Sequence, residues 1–255
     1  MNVVRSIAEL EPAAGTGLVP TMGALHGGHA ALFRAARAEN EVVVASIFVN
    51  PAQFDDPADL AAYPRDEGRD LELAAAEGVD VVFAPPPEEL YPDGFSTWVE
   101  PGDAGAEGEA RPGHFRGVAT VCLKIFNLVR PARAYFGQKD AQQAIVIRRL
   151  VRDLHVPVAI RVVPTVRDED GLALSSRNAR LSAEERRDAL ALPRALHLAA
   201  VGSADPVAVA REALAELEPE YVEVLDLGDA SVLAAAVRVG GVRLIDNVLL
   251  EGEIR

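Results

Sequence analysis

Leu18-Val19-Pro20-Thr21-Met22-Gly23-Ala24-Leu25-His26-Gly27-Gly28-His29 is the stretch on which the fold turns. The apolar lead-in predicts a buried strand, and Ala30 through Glu39 carries a helical pattern. The segment therefore reads as strand, tight turn and first turn of a helix. The first N–H groups of a helix have no intrahelical partner and carry partial positive charge, so such a turn attracts phosphate. Gly23, Gly27 and Gly28 allow close approach of the backbone to a ligand. His26 and His29 are three residues apart, so both rings can face one side of a forming helix. The same residues also fit a glycine-rich turn with two surface histidines. The strand before and the helix after favour the anion site. No G-x-G-x-x-G or G-x-x-x-x-G-K-[ST] string occurs, which sets aside the usual dinucleotide fingerprint and the P-loop.

Composition narrows the partners. The 255 residues allow one large domain or a large and a small one. A net charge of −14 argues against non-specific binding of nucleic acid or an anionic membrane, so positive charge for an anionic ligand must be local. Lysine occurs only at Lys124 and Lys139, in a chain whose other cations are arginines. The lone Cys122 excludes an internal disulfide and falls on an apolar helical stripe, which reads as core rather than nucleophile. There is no basic segment followed by an apolar h-region and no long apolar run, so a soluble, cytoplasmic protein is expected.

Outward from the first turn, Glu41–Phe48 predicts a buried strand ending in the polar loop Val49–Phe54. The carboxyl end of a strand is where open parallel sheets bind ligands. Asn50 and Gln53 there could recognise a carboxylate or hydroxyl, or be ordinary loop polarity. Tyr63-Pro64-Arg65-Asp66 opens an expected helix, with Pro64 at its first position, running to Gly78 before a strand at Val79–Ala84. Pro85–Pro112 is a long excursion with a possible strand at Thr97–Glu100. Val118, Val121, Cys122, Ile125, Leu128 and Val129 have the spacing of a buried helix face, and Ala134–Phe136 is the next strand. Gly137-Gln138-Lys139-Asp140 forms a second strand-to-helix turn. The following helix shows Ile147, Leu150, Val151 and Leu154 on one face, and Gln143 shares it, either solvated or touching a ligand. Val158–Val163 completes a β-α-β-α alternation, the pattern of a parallel sheet covered on both faces.

The expected fold is α/β: a Rossmann-like parallel-sheet domain over residues 1–165 and a smaller C-terminal α+β domain over 166–255. In the latter, Leu174–Asn178 is a polar loop, and Ser182 with Glu185 makes a capping box. A second helix follows at Pro206–Leu217. Tyr221–Leu227 and Arg243–Leu250, separated by Gly240-Gly241, read as antiparallel strands. The anion-binding candidates are His26, His29, Lys139, Ser175, Ser176 and Arg177. They suit a nucleoside triphosphate held between domains and nucleotidyl transfer at its α-phosphorus, a reaction that needs positioning and charge neutralisation. Mg2+ bridging phosphate oxygens is expected with it.

Six blocks, PTMGALHGGH, SIFVNPAQF, YPRD, HFRGVATV, GQKDAQQ and PTVRDEDGLALSSRN, stand in this order between residues 20 and 178. With them the chain resembles the pantoate–β-alanine ligase family. The resemblance implies condensation of pantoate with β-alanine using ATP, through pantoyl adenylate, giving pantothenate, AMP and pyrophosphate. Carried over by motif, Met22, Gly23, Ala24, Leu25, His26, Gly27, Gly28 and His29 line the ATP site, with His29 as proton donor and His26 on phosphate. Gly137, Gln138, Lys139 and Asp140 meet the nucleotide, with Lys139 on its phosphates, and Val166, Leu174, Ser175, Ser176 and Arg177 close over it. Gln53 and Gln143 bind pantoate, and Gln53 also binds β-alanine. The resemblance further implies a homodimer. Acidic residues after the YPR block are associated with magnesium in the family; here Asp70 remains behind Arg69, and no protein metal ligand is assigned. The chain departs from the family at Gly27, often acidic, Gln138, often glutamate, Ala141, often tyrosine, and Leu174, often methionine. Two alternatives are a related adenylyltransferase with a different acceptor and a non-catalytic nucleotide sensor.

Overall fold

The computed structural model describes residues 1–13 and 15–254. Two compact units emerge, residues 1–136 with 146–163 and residues 137–145 with 164–255.

The first unit contains β1 (Asn2–Val4), β2 (Thr16–Thr21), α1 (Gly27–Glu39), β3 (Val42–Ile47), α2 (Pro57–Ala62), α3 (Glu67–Ala76), β4 (Val81–Phe83), α4 (Pro87–Leu90), α5 (Gly105–Ala110), α6 (His114–Val129) and β5 (Arg133–Gly137). Helix α7 (Ala141–Asp153) and β6 (Ala159–Val163) follow. The strands form a six-stranded parallel sheet in the order β1-β4-β3-β2-β5-β6. Counted from β2, the last five strands have the order 3-2-1-4-5 of a Rossmann sheet, with β1 added at one edge.

Side-chain alternation explains why both faces are covered. Leu18, Val44, Phe83, Ala134 and Phe136 enter one core with Val118, Cys122, Ile125 and Ile147 of α6 and α7. Their strand neighbours Val19, Val43, Ala45, Val82 and Tyr135 enter another with Phe33 and Ala36 of α1 and Ala74 of α3. A period of two with both phases apolar requires helices on both sides.

Several boundaries differ from expectation. Pro64 does not begin a helix: the Asp66 carboxylate accepts from Arg69 N at 3.1 Å, so α3 starts after it. The strand expected at Thr97–Glu100 is irregular chain, and Val99 N donates to the Thr120 hydroxyl at 3.0 Å instead of to a ladder. Leu128 is half-buried. Leu154 is 52% exposed because α7 ends at Asp153 and His155 turns the chain with φ 52°.

The second unit contains α8 (Ala183–Ala189), α9 (Ala191–Ala200), α10 (Pro206–Ala213), β7 (Tyr221–Asp226), β8 (Ala230–Val239) and β9 (Val242–Gly252). The Ser182–Glu185 capping box is present. Pro193 accounts for the break between α8 and α9: lacking an N–H, it fits the first turn of a new helix but not the interior of a continuous one. Helix α10 stops at Ala213, and Ala215–Leu217 is a 3-10 turn. The sheet has three antiparallel strands in the order β7-β8-β9. The two strands expected from sequence do not pair with each other; the alanine-rich β8 lies between them, and Gly240-Gly241 closes the β8–β9 hairpin. Leu192, Leu196, Leu214, Leu233 and Val237 form the core.

Candidate active site

β2 and β5 are neighbours in the sheet although β3 follows β2 in sequence, so connections leave this point in opposite directions. At such a reversal the crevice beyond the carboxyl ends of the strands accepts ligands. From β2 the chain passes into a tightly constrained turn. Gly23 has φ 80°, and a Cβ there would stand 2.8 Å from Asp70 Oδ2. Ala24 has φ 51°, a left-handed conformation that costs a residue with a Cβ about 1–2 kcal/mol. Asp70 offsets that cost. Its carboxylate is 3% exposed and accepts from Ala24 N at 2.9 Å and Leu25 N at 2.7 Å.

His26 is the N-cap of α1, and its Nδ1 accepts from Gly28 N at 3.1 Å. His29 reaches back, its Nδ1 accepting from His26 N at 3.2 Å. The ring centroids lie 4.2 Å apart. Both Nδ1 atoms accept, so in the neutral rings both protons reside on Nε2. The pair thus caps the helix and presents two N–H donors from one helix start.

Gln53 is 7% exposed at the end of the 3-10 turn Pro51–Gln53. Its Oε1 accepts from Asn50 Nδ2 at 3.1 Å, and its Nε2 lies 2.8 Å from Met22 Sδ, which brings Gln53 to the β2 turn. Its backbone carbonyl is held by His114 Nδ1 at 2.8 Å and by the Arg111 guanidinium at 3.3 Å. Gly117 permits this contact: a Cβ there would lie 2.2 Å from Ala52 O. Asn50 Nδ2 also donates to Gly117 O at 3.1 Å.

Within the second unit, Val166 and Leu174 are brought together by a hairpin, with Leu174 N donating to Val166 O at 3.0 Å and a bridge between Arg167 and Ala173. Ser175 caps the 3-10 segment Ser176–Arg180, its hydroxyl accepting from Arg177 N at 3.2 Å. Gln138 is buried and Lys139 Nζ lies 3.9 Å from Asp140. Gln143 is half-buried; its neighbour Gln142 is the more deeply buried amide and hydrogen-bonds Glu223.

The roles of Asp70 and His114 as anchors were not read from sequence, because their partners lie 46 and 61 residues away. Each oxygen of Asp70 holds one backbone N–H, which anchors the β2 turn. Among the described residues no cluster of three His, Cys, Asp or Glu side chains could hold a metal ion. Cys122 is buried in the core, and burial pushes its thiol up to about 12. Among the described residues no helix is long and apolar enough to cross a membrane.

A Rossmann-like sheet with a histidine-capped helix at its switch point defines an α/β enzyme of the H-x-G-H nucleotide-dependent class. The family model described as pantoate-beta-alanine ligase matches residues 2–249. The chain belongs to this family, and its reaction is the ATP-dependent joining of pantoate to β-alanine. It is 52% identical to the pantothenate synthetase of Roseiflexus sp. (strain RS-1), with 98% of this chain and 100% of that protein covered. With the pantothenate synthetase of Chloroflexus aurantiacus (strain ATCC 29366 / DSM 635 / J-10-fl) the identity is 53%, covering 99% of each. The crystal structure of pantothenate synthetase from Thermus thermophilus superposes with TM-score 0.93 at 46% identity, covering 98% of this chain and 99% of that one. A Francisella tularensis pantoate-beta-alanine ligase complexed with beta-gamma ATP and beta-alanine gives TM-score 0.85 at 37% identity, covering 99% of each chain.

Proposed function

We propose that Met22–His29 and Gly137–Asp140, with Val166 and Leu174–Arg177, bind ATP, and that Gln53 and Gln143 bind pantoate. The observation that carries this reading is the paired histidine cap: both Nδ1 atoms are tied to N–H groups of the α1 start, which keeps Nε2–H as the donor on each ring. Pantoate's carboxylate attacks the α-phosphorus, a new P–O bond forms, and the bond to pyrophosphate breaks. His26 and His29 donate hydrogen bonds to phosphate oxygens as negative charge moves onto the leaving group. Lys139 supplies a compact charge for the same tail. The amine of β-alanine, held near Gln53, then attacks the acyl carbon, and AMP departs with the electrons of the acyl–oxygen bond. The crystallised Francisella relative, complexed with beta-gamma ATP and beta-alanine, supports the substrate set.

Mg2+ would enter with ATP as part of the substrate and supply positive charge to its phosphates. The enzyme works in the cytoplasm as a homodimer. Light scattering should return twice the 27.1-kDa chain mass; a monomer that turns over at full rate would remove the dimer from the proposal.

The deciding experiment is exchange of pyrophosphate into ATP with and without pantoate, followed by addition of β-alanine. Exchange should require pantoate, and AMP should accumulate only once β-alanine is present. Pantoate-independent exchange points to a different acceptor, and ATP binding without exchange points to a sensor.

A further inference from the structure

Asp246 and Asn247 are consecutive residues of β9, 2% and 1% exposed, and neither belongs to a segment assigned to a substrate. Opposite them in the ladder stand Ala235 and Ala234, small residues that leave room for polar side chains. Each reaches a different ATP segment of the second unit. Asn247 Nδ2 donates to the backbone carbonyls of Gln138 at 2.8 Å and Lys139 at 3.0 Å. Its Oδ1 accepts from Gln138 Nε2 at 2.9 Å, and Gln138 Oε1 in turn accepts from Thr165 N at 3.3 Å. Asp246 takes the Arg167 guanidinium in two-pronged fashion, at 2.6 and 3.0 Å, and accepts from Asn247 N at 2.8 Å. The guanidinium also donates to Asn247 O at 3.2 Å and Gly171 O at 3.1 Å, which pins the hairpin joining Val166 to Leu174.

We propose that Asp246 and Asn247 are positioning residues that lock the Lys139 turn and the Val166–Arg177 loop into one register for ATP; this rests on the ATP assignment proposed above. Asp246 is buried while its partner Arg167 reaches solvent, so the carboxylate depends on this guanidinium and on Asn247 N, and their geometry fixes where the hairpin sits. The amide network is satisfied at every polar atom of the Asn247 side chain, and a partly satisfied one would cost more than none. The arrangement also accounts for the amide of Gln138: a carboxylate there could not donate to Asn247 Oδ1.

The test uses the full chain with Asn247→Asp, Asp246→Asn and Arg167→Lys; the last cuts the same link from a side chain that is 32% exposed, should the buried variants fail to fold. Glu251→Gln, exposed on the same strand, is the control. Steady-state kinetics should show the KM for ATP raised about tenfold or more by each variant, the scale of losing a hydrogen bond to a charged group, with the KM for β-alanine unchanged. Hydrogen exchange without substrates should accelerate at 137–140 in Asn247→Asp and at 165–177 in Asp246→Asn and Arg167→Lys. Folded variants with wild-type ATP KM, or with both KM values raised together, would overturn the inference. If the wild type itself lacks pantoate-dependent pyrophosphate exchange, the functional reading fails instead, and the exchange pattern still judges the coupling of the two segments.

Discussion

At His29 one ring does two jobs, and substitution can separate them. Its Nδ1 accepts from the His26 N–H, while its proton resides on Nε2. Asparagine can place Oδ1 near the position of Nδ1 but has nothing at Nε2, so His29→Asn should keep the cap and lose the donor. Pantoate-dependent pyrophosphate exchange should fall about 10²–10³-fold, with the melting temperature nearly that of the wild type. Near-normal exchange in that variant would remove His29 from the chemistry. The two lysines offer a paired comparison. Lys124 lies over the rings of Phe95 at 4.6 Å and Tyr91 at 5.9 Å, and burial lowers its pKa. Lys139→Ala should therefore cost far more turnover than Lys124→Ala; equal losses would count against the phosphate role of Lys139. Asp70 makes a third case. An asparagine has one acceptor oxygen for two N–H groups and turns its amide toward the other, so Asp70→Asn should destabilise by about 1–3 kcal/mol. Chemical denaturation would read this, and the KM for ATP should rise with it as Ala24 leaves its left-handed conformation.

Helix α6 and the turn at Gln53 are held together where Gly117 meets the Ala52–Gln53 backbone. The obstructing atom at 2.2 Å is a main-chain oxygen, which cannot rotate away, so Gly117→Ala must push the two elements apart. Overpacking of this kind costs about 1–3 kcal/mol. Because His114 at the start of α6 and Arg111 at the end of α5 hold Gln53 O, the KM for pantoate should increase as well. An alanine variant with unchanged pantoate KM would mean that the clamp is irrelevant to Gln53. Elements of this kind were legible in the sequence where one local pattern settled them. Leu18-Val19, Glu41–Phe48 and Ala134–Phe136 are apolar in both phases, which marks doubly covered parallel strands. Strand β8 was missed because its middle, Ala234-Ala235-Ala236, lacks the β-branched and aromatic residues by which strands are recognised. Its place is set by the pairing of β7 and β9 to either side, a tertiary fact. The histidine pair and the serine–arginine loop were visible as local motifs. Their supports, Asp70, His114 and the Asp246–Asn247 pair, were not, since a capping carboxylate or amide 46 to 109 residues from its partner leaves no periodic trace.

Across the whole molecule the charge balance sets two opposing responses to acid. At pH 7 the chain carries a net charge of −14, and with a pI near 4.8 this excess disappears as the pH falls, relieving self-repulsion. Individual carboxylates work the other way. The hydrogen bond and charge of Arg5 hold Glu67 below its ordinary value of 4.5, the Ser182 N–H does the same for Glu185, and the Arg152 guanidinium holds Asp153 below 3.8. A group whose folded pKa is depressed contributes stability above its unfolded pKa and loses it as the pH drops through the folded value. These groups lie at the surface and each contributes little, so relief of repulsion dominates until the pairs protonate. The melting temperature should therefore rise from pH 8 to a maximum between about pH 5 and 6, then fall below about pH 4. Salt should separate the two contributions. Raising ionic strength from about 0.01 to 0.15 M shortens the screening length from about 30 to 8 Å. At pH 7.5 that weakens net repulsion and should raise the melting temperature; at pH 5 only the attractive surface pairs remain to be screened, and the shift should vanish or reverse. Calorimetric scans at both ionic strengths across this range test the sign directly. A melting temperature that falls steadily from pH 8 to pH 4, or that salt lowers at pH 7.5, would mean that paired carboxylates rather than excess negative charge govern the stability of the fold.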